Sequence, residues 1–423
     1  MLKVAFYLDN DSLSSVDMTN LLDGNPGVGG TEYQFLLVSY LLEKKSSLIE
    51  PILISKCQTS APHKLKHEVK DLKELCEYCK QNGIKTIVMN QLRFDEKLMD
   101  GYQGYFNVVL WDHNGMNLKR LNIVNKRNYV KRIVCCGREM LDMYRDHPAT
   151  LKSTYIYNIQ PIQPIDWYKS RIDFSDNHNV AYMGSIIPTK GFHVLARSWK
   201  NVLQDIPDAQ LYVIGSGKLY DKTAKLGSYG IAESHYEQEF MQYLTDNDGN
   251  ILPSVHFLGL LGKEKFDVLG KCKVAVPNPT GDSECLPLTT MEMQLMGCGI
   301  TTIWHQAYLD TVYNKKWLYH RCRQLSEYIV ERLKAPRDNY EKLYTFISSQ
   351  FGIEKNLVRW EKTLSDLDAH FEIEPVSGNS YQMKPLKNAL LHLKMAFPFL
   401  KEIVLVRNVY RAWQHRVSKN NEW

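Results

Sequence analysis

No run in the 423 residues approaches the ~18 consecutive apolar positions that a membrane-spanning helix needs, so a helical transmembrane protein is not expected. The opening MLKVAFYLDND meets acidic residues after a short apolar stretch. It lacks the apolar core of a secretory signal and reads as a first strand, so a cytoplasmic location is expected. Cysteine is odd in number, nine, and irregularly spaced, which gives no disulfide framework. Cys76-x-x-Cys79 has no second pair like it, and reduced thiols account for it better than a metal or redox site. Two glycine motifs are incomplete. Gly27-x-Gly29-Gly30 lacks the third glycine of a dinucleotide fingerprint, and Gly215-Ser216-Gly217-Lys218 has neither a glycine at 212 nor a Ser or Thr after the lysine, as a P-loop requires. No internal repeat or low-complexity tract is evident, and no side-chain pair stands out as nucleophile and base.

What is present is ordinary for a globular chain: 44% apolar and 23% charged residues, enough for two or three domains. The net charge of +5 is unevenly spread. Asn117–Arg138 carries seven Lys/Arg and no acid, and Met383–Trp423 carries eight Lys/Arg against Glu402 and Glu422. Together they suggest one basic face, either simply solvated or facing an anionic membrane surface. Neither stretch interleaves aromatic platforms with its charge, so nucleic acid is not an expected partner.

Short apolar runs alternate with helical patterns along the chain, the signature of an α/β protein with parallel sheets. Strands are expected at 3–9, 51–55, 86–90, 107–111, 132–136 and 155–158, and helices at 33–43, 67–81 and 138–144. After a Pro-rich and polar linker at 161–175, strands follow at 180–183, 210–214 and 255–258, with helices at 192–203 and 262–271. This organisation predicts two doubly wound Rossmann-like domains, 1–165 and 176–384, then basic C-terminal helices over 385–423. The tail is broken near Pro398 and aligns Ile403, Val406, Tyr410, Trp413 and Val417 on one side.

The most informative stretch is PNPTGDSECLPLTTMEMQLMGCGI, starting at Pro277. Val274-Ala275-Val276 reads as a buried strand, Thr280–Ser283 as a loop, and the pattern turns helical at Leu288 until Gly297 and Gly299 end it. Ile300–Ile303 reads as the next strand. Ligands of open α/β sheets lie at the carboxyl ends of strands, where this loop sits. Glu284 lies in the loop and Glu292 about one turn into the helix, with the amides of Leu288 and Thr289 at a helix N-terminus between them. An anion bracketed by two hydroxyl-binding carboxylates is what a nucleotide-sugar offers. Spacing alone does not establish this, since two glutamates so placed occur by chance and the helix dipole favours one of them.

Further stretches join these residues: Gly29-Gly30-Thr31-Glu32, Gly184 through Lys190-Gly191-Phe192-His193, Pro207 through Gly217, and Val255-His256-Phe257-Leu258-Gly259. With Glu284 and Glu292 around Pro287-Leu288, they resemble the retaining glycosyltransferases of the GT-B fold, in the large family four, over most of the chain. The resemblance implies two Rossmann-like domains facing a cleft, with a C-terminal helix crossing back to the first. It implies transfer of a sugar from a UDP- or GDP-linked donor to a hydroxyl of a glycan or lipid-linked acceptor, without a metal or cofactor, as in bacterial surface polysaccharide or lipopolysaccharide synthesis.

By the same resemblance, Glu292 binds the ribose hydroxyls and Glu284 the transferred sugar. The amides of Leu288 and Thr289 hold the distal phosphate, Lys190 neutralises the leaving diphosphate, His113 lies near the donor sugar, and Gly29 and Gly30 face donor and acceptor. Two positions depart from the family pattern. Ser185 stands where an Arg precedes the Lys by five residues, and Cys285-Leu286-Pro287 replaces Gly-Phe-Gly after the first Glu. Asp9-Asn10-Asp11 resembles the Asp-x-Asp metal motif of another glycosyltransferase fold, but it sits too early in the chain and reads better as a capped loop. An epimerase or phosphorylase of the same fold, and a non-catalytic sugar-binding subunit of a polysaccharide assembly complex, remain as alternative readings.

Overall fold

The computed structural model describes residues 1–9, 13–219, 223–368, 383–402, 406 and 409. Asn10, Asp11, Ile403, Tyr410, Trp413 and Val417 lie outside them. The chain clusters into two units, and their composition differs from the expected domains. The first holds Met1–Thr19, Gln34–Asn158 and the described residues from Asn356 on; the second holds Asn20–Tyr33 and Ile159–Lys355.

The sheet of the first unit has seven parallel strands among the described residues: β1 Leu2–Leu8, β2 Ile49–Ser55, β3 Lys66–Glu68, β4 Thr86–Asn90, β5 Asn107–Asp112, β6 Val130–Cys135 and β7 Ser153–Tyr155. Their order is β3-β2-β1-β4-β5-β6-β7. The central strands are apolar almost throughout, as a parallel sheet covered on both faces requires: Val4–Leu8 and Val108–Asp112 are fully buried. The helix Ile353–Ser365 returns to this sheet through Trp360, whose ring lies 4.5 Å from Trp111 and 6.2 Å from Phe6, centroid to centroid.

The second unit has a five-stranded parallel sheet: β8 Asn179–Met183, β9 Gln210–Ile214, β10 Val255–Gly259, β11 Val274–Ala275 and β12 Gly299–Ile300, in the order β10-β9-β8-β11-β12. Helix Phe192–Asp205 covers it with Val194, Leu195, Trp199 and Val202, one apolar stripe at helical spacing, and the buried Trp199 indole donates to Ser254 Oγ at 3.1 Å. In each sheet the strand order reverses once, between β1 and β4 and between β8 and β11. Those two reversals are where a doubly wound sheet opens a crevice at its carboxyl edge.

Several local expectations change. The chain from His67 begins in edge strand β3, a polar Lys-His-Glu run held by backbone pairing to Leu53–Ser55, and the helix starts only at Leu72. The Pro-rich linker contains the short helix Ile165–Lys169, with Tyr168 buried. Residues 300–303 are two strands: Thr301 donates its amide to Ala275, and the chain then leaves for a separate pair, β13 Thr302–Ile303 with β14 Leu318–Tyr319. Cys76 and Cys79 are buried in helix Leu72–Gln81, and no cluster able to hold a metal occurs among the described residues.

Among the described residues, several charges of the two basic stretches are neutralised by acidic partners. Arg120 pairs with Glu96 at 3.0 Å, Arg127 with Asp100 at 2.6 Å and Lys131 with Asp368 at 2.8 Å. In the C-terminal helix Lys384–Ala396, the three lysines point inward: Lys384, Lys387 and Lys394 are 3%, 1% and 1% exposed. Lys384 pairs with Asp142 and Glu139, Lys394 with Asp146, and Lys387 donates to the Asp142 carbonyl. Leu391 is buried with them, while Leu386, Leu393, Met395, Phe397 and Phe399 are between 44% and 76% exposed.

Candidate functional site

In the second unit, the loops leaving β8 and β11 lie side by side at the strand-order reversal. The β8 loop ends in a short turn Pro188–Lys190, closed by Gly191 at φ 67°. Only glycine fits there: an added Cβ would lie 2.7 Å from Thr280 Cγ2 of the neighbouring loop, in a backbone region L-residues avoid. Tyr182, at the end of β8, donates to the carbonyls of Ser185 and Lys190 at 3.2 and 3.1 Å and so ties the two ends of its loop together.

Asn278 organises the β11 loop. Its side-chain oxygen accepts from the Thr280 amide, the Thr280 hydroxyl and the Gly281 amide, at 3.1, 2.8 and 3.2 Å. Its amide nitrogen donates to the Asp282 carbonyl at 2.8 Å, to the Thr189 carbonyl of the β8 loop at 3.0 Å, and to Glu284 Oε1 at 3.3 Å. Glu284 is thus held next to Lys190, whose Nζ lies 2.6 Å from the same oxygen, with side chains 11% and 15% exposed. The sequence names Lys190 and Glu284 separately; their pairing, and Asn278 as the residue that assembles it, come only from the fold.

Helix Leu288–Leu295 follows. Pro287 at its N-cap offers no side-chain cap, and no hydrogen bond reaches the amides of Leu288 and Thr289 among the described residues. These donors and the positive end of the helix are open to an anion. Glu292 is 3% exposed in its side chain, and its Oε1 accepts from Lys265 Nζ at 2.8 Å. Lys265 also donates to the Asn25 carbonyl at 3.0 Å. The glycine-rich segment therefore joins this site. Gly24 faces Glu292 Oε1, and Gly30 lies against Leu288, where added Cβ atoms would be 3.4 and 3.7 Å away. Glu32 folds back over Gly29 so closely that a Cβ there would meet its Oε2 at 2.0 Å. Sequence reasoning missed Lys265; it sits in a run, Lys263-Glu264-Lys265, that reads as solvated surface.

Ser185, at the expected arginine position, is 1% exposed and donates to the Ser216 carbonyl at 3.4 Å. It fastens its loop to the one after β9 and brings no charge. His113 follows β5 in the first unit. Asp112 accepts from the Asn114 and Gly115 amides at 3.1 and 2.9 Å and fixes the turn. The His113 ring sits 4.8 Å from Trp111 and 6.4 Å from Phe35, and burial pushes its pKa down to about 3, so it is neutral. Its Nε2 is buried without a hydrogen-bond partner among the described residues.

No protein-family model and no curated protein matches the chain. Solved structures do. Sucrose-phosphate synthase from Thermosynechococcus elongatus superposes with a TM-score of 0.63 at 13% identity, over 86% of this chain and 98% of that one. Anabaena HepE in complex with UDP gives 0.59 at 13%, over 86% and 100%. A glycosyltransferase from Rickettsia africae gives 0.59 at 11%, over 86% and 97%. The fold is GT-B. Within a GT-B chain, the reversal between β8 and β11 and the uncapped Leu288 helix belong to the C-terminal Rossmann-like unit, and the paired lysines and glutamates lie beside them.

Proposed function

We propose that the chain is a retaining, metal-independent glycosyltransferase. It moves a sugar from a UDP- or GDP-linked donor to a hydroxyl of a glycan or lipid-linked acceptor, in the synthesis of a surface polysaccharide or lipopolysaccharide. The observation that carries this reading is the pairing of Lys190 with Glu284 and of Lys265 with Glu292, on either side of the unbonded Leu288 and Thr289 amides. The diphosphate sits on those amides and on Lys190. Glu292 takes the ribose hydroxyls and Glu284 the hydroxyls of the transferred sugar. As the sugar–phosphate bond breaks, negative charge grows on the leaving diphosphate, and a preorganised cation and helix N-terminus stabilise it at the moment it forms. Lys190 then shares its charge between Glu284 and the phosphate. The acceptor hydroxyl enters on the face the phosphate leaves, and a phosphate oxygen takes its proton, so no protein nucleophile is needed. HepE in complex with UDP-glucose, of the same fold, supports the donor class. The test is release of free nucleotide coupled to a glycosylated acceptor; conversion of the donor to an epimeric nucleotide-sugar with no free nucleotide would favour the epimerase reading, and phosphate-dependent release of a sugar phosphate from a glycan the phosphorylase reading.

A lipid-linked acceptor implies work at a membrane surface. No helix among the described residues is long and apolar enough to cross one. The helix Lys384–Ala396 buries Lys384, Lys387 and Lys394 together with Leu391, and leaves Leu386, Leu393 and Met395 exposed. Those exposed residues, ending in Phe397 and Phe399, suit shallow insertion among lipid headgroups.

A further inference from the structure

Lys265 is the buried cation of the site that the reading above leaves without a role. It stands in the first turn of helix Glu264–Leu269, 7% exposed in its side chain, with Nζ 2.8 Å from Glu292 Oε1 and 3.0 Å from the Asn25 carbonyl. Asn25 in turn builds the glycine-rich loop, accepting from the Gly27 and Val28 amides and donating to the Val28 carbonyl, all at 2.9 Å. Oε1 of Glu292 is therefore committed: it holds Lys265 and has Gly24 packed against it. No hydrogen bond to Oε2 is found among the described residues. A buried carboxylate with one oxygen clamped and the other without a protein partner is a directed acceptor.

We propose that Lys265 is a positioning and specificity-determining residue: it fixes Glu292 so that Oε2 alone meets the ribose, and so makes the site select ribonucleotides over nucleotides lacking ribose hydroxyls. Because the same ammonium holds the Asn25 carbonyl, it also ties the glycine-rich loop to ribose recognition. A lysine that served stability alone would lower the melting temperature without altering this selectivity.

This rests on the assignment of Glu292 to the ribose, so the experiment separates the two. Calorimetric titration with UDP, GDP and ADP identifies the nucleotide bound most tightly, and the same titration is run with its 2′,3′-dideoxy form. Wild type is expected to prefer the ribonucleotide by tenfold or more, since a site built to bond a hydroxyl rejects the analogue without it. Lys265→Met and Lys265→Gln are expected to bring that ratio below threefold, through weaker binding of the ribonucleotide and little change for the dideoxy form. Lys265→Arg, which keeps a cation there, is expected to stay within threefold of the wild-type ratio. Either neutral variant, if folded, decides. A wild-type ratio retained in both overturns the role of Lys265 while leaving Glu292 in place. A wild-type protein that binds both forms equally overturns the assignment of Glu292, and this proposal with it.

Discussion

Replacing Lys190 by Met probes catalysis and stability at once, and the structure lets the two be separated. The Lys190–Glu284 contact is 2.6 Å between side chains 15% and 11% exposed. At an effective dielectric near 20 the gross attraction at that distance is about 6 kcal/mol, most of it offset by desolvation. Removing the lysine alone leaves Glu284 with Asn278 Nδ2 at 3.3 Å as its remaining partner, and we expect a loss of about 3 kcal/mol, the low end for breaking a buried pair. In a cooperative unit of roughly 200 residues, such as the second one, that lowers the melting temperature by roughly 6–12 °C. The double variant Lys190→Met/Glu284→Gln removes the unpaired charge and should recover most of that stability. Turnover should not recover. Loss of one preorganised stabiliser of developing charge costs ~10²–10³ in rate, and both variants lack it. The assays are scanning calorimetry and single-turnover nucleotide release at saturating donor. A Lys190→Met protein turning over within a few-fold of wild type, or a double variant that regains turnover with its stability, would refute the reasoning.

Other expectations follow from the same geometry. Asn278→Ala deletes the hydrogen bonds that join the β8 and β11 loops; it should cost about 2–3 kcal/mol, read in urea unfolding, and weaken donor binding, whereas unchanged binding would show that the loops are held otherwise. Gly191→Ala forces a Cβ to within 2.7 Å of Thr280 at φ 67° and should destabilise by about 2 kcal/mol or more, with near-normal stability contradicting the assigned loop contact. His113 has its pKa lowered by burial from 6.5 to about 3. The unfolded chain therefore takes up that proton first, and the stability supplied by the neutral ring is complete above pH 6.5 and is lost as pH falls toward 3, at about 1.4 kcal/mol per pH unit. Urea titrations at pH 6.5, 5.5 and 4.5 should show this slope reduced by about one proton in His113→Phe; an unchanged slope would place the titration elsewhere. Leu393→Glu/Phe399→Glu should abolish flotation with anionic vesicles while Lys119→Gln/Lys126→Gln leaves it intact, and the opposite pattern would restore a purely electrostatic contact.

The alternation of apolar strands with helical segments made the α/β class legible, because parallel strands buried on both faces leave unbroken apolar runs such as Val4–Leu8. Glu284, Glu292 and the Leu288 helix were legible from local signals, a strand end and a Pro-bounded turn, whereas Lys190 was legible only through the family resemblance. What was hidden depends on contacts between distant residues. Lys265 and Asn25 are separated by 240 positions, and nothing near either announces the bond that draws Asn20–Tyr33 into the second unit. Edge strand β3 was hidden for a different reason: its polar side chains carry no pattern, and backbone pairing alone makes it a strand. The charge of the C-terminal helix misled, since a count of lysines does not say that Asp142, Asp146 and Glu139 wait beneath them.

The central claim is that the second unit binds a nucleoside diphosphate through Glu292 and the Leu288 helix. Isothermal titration of wild type and Glu292→Ala with UDP, GDP and ADP tests it most directly. One of the three should bind wild type and lose about 1.5–3 kcal/mol of affinity, roughly 10- to 150-fold, in the variant. Equal affinity in wild type and variant, or no binding of any of the three to wild type, would contradict it.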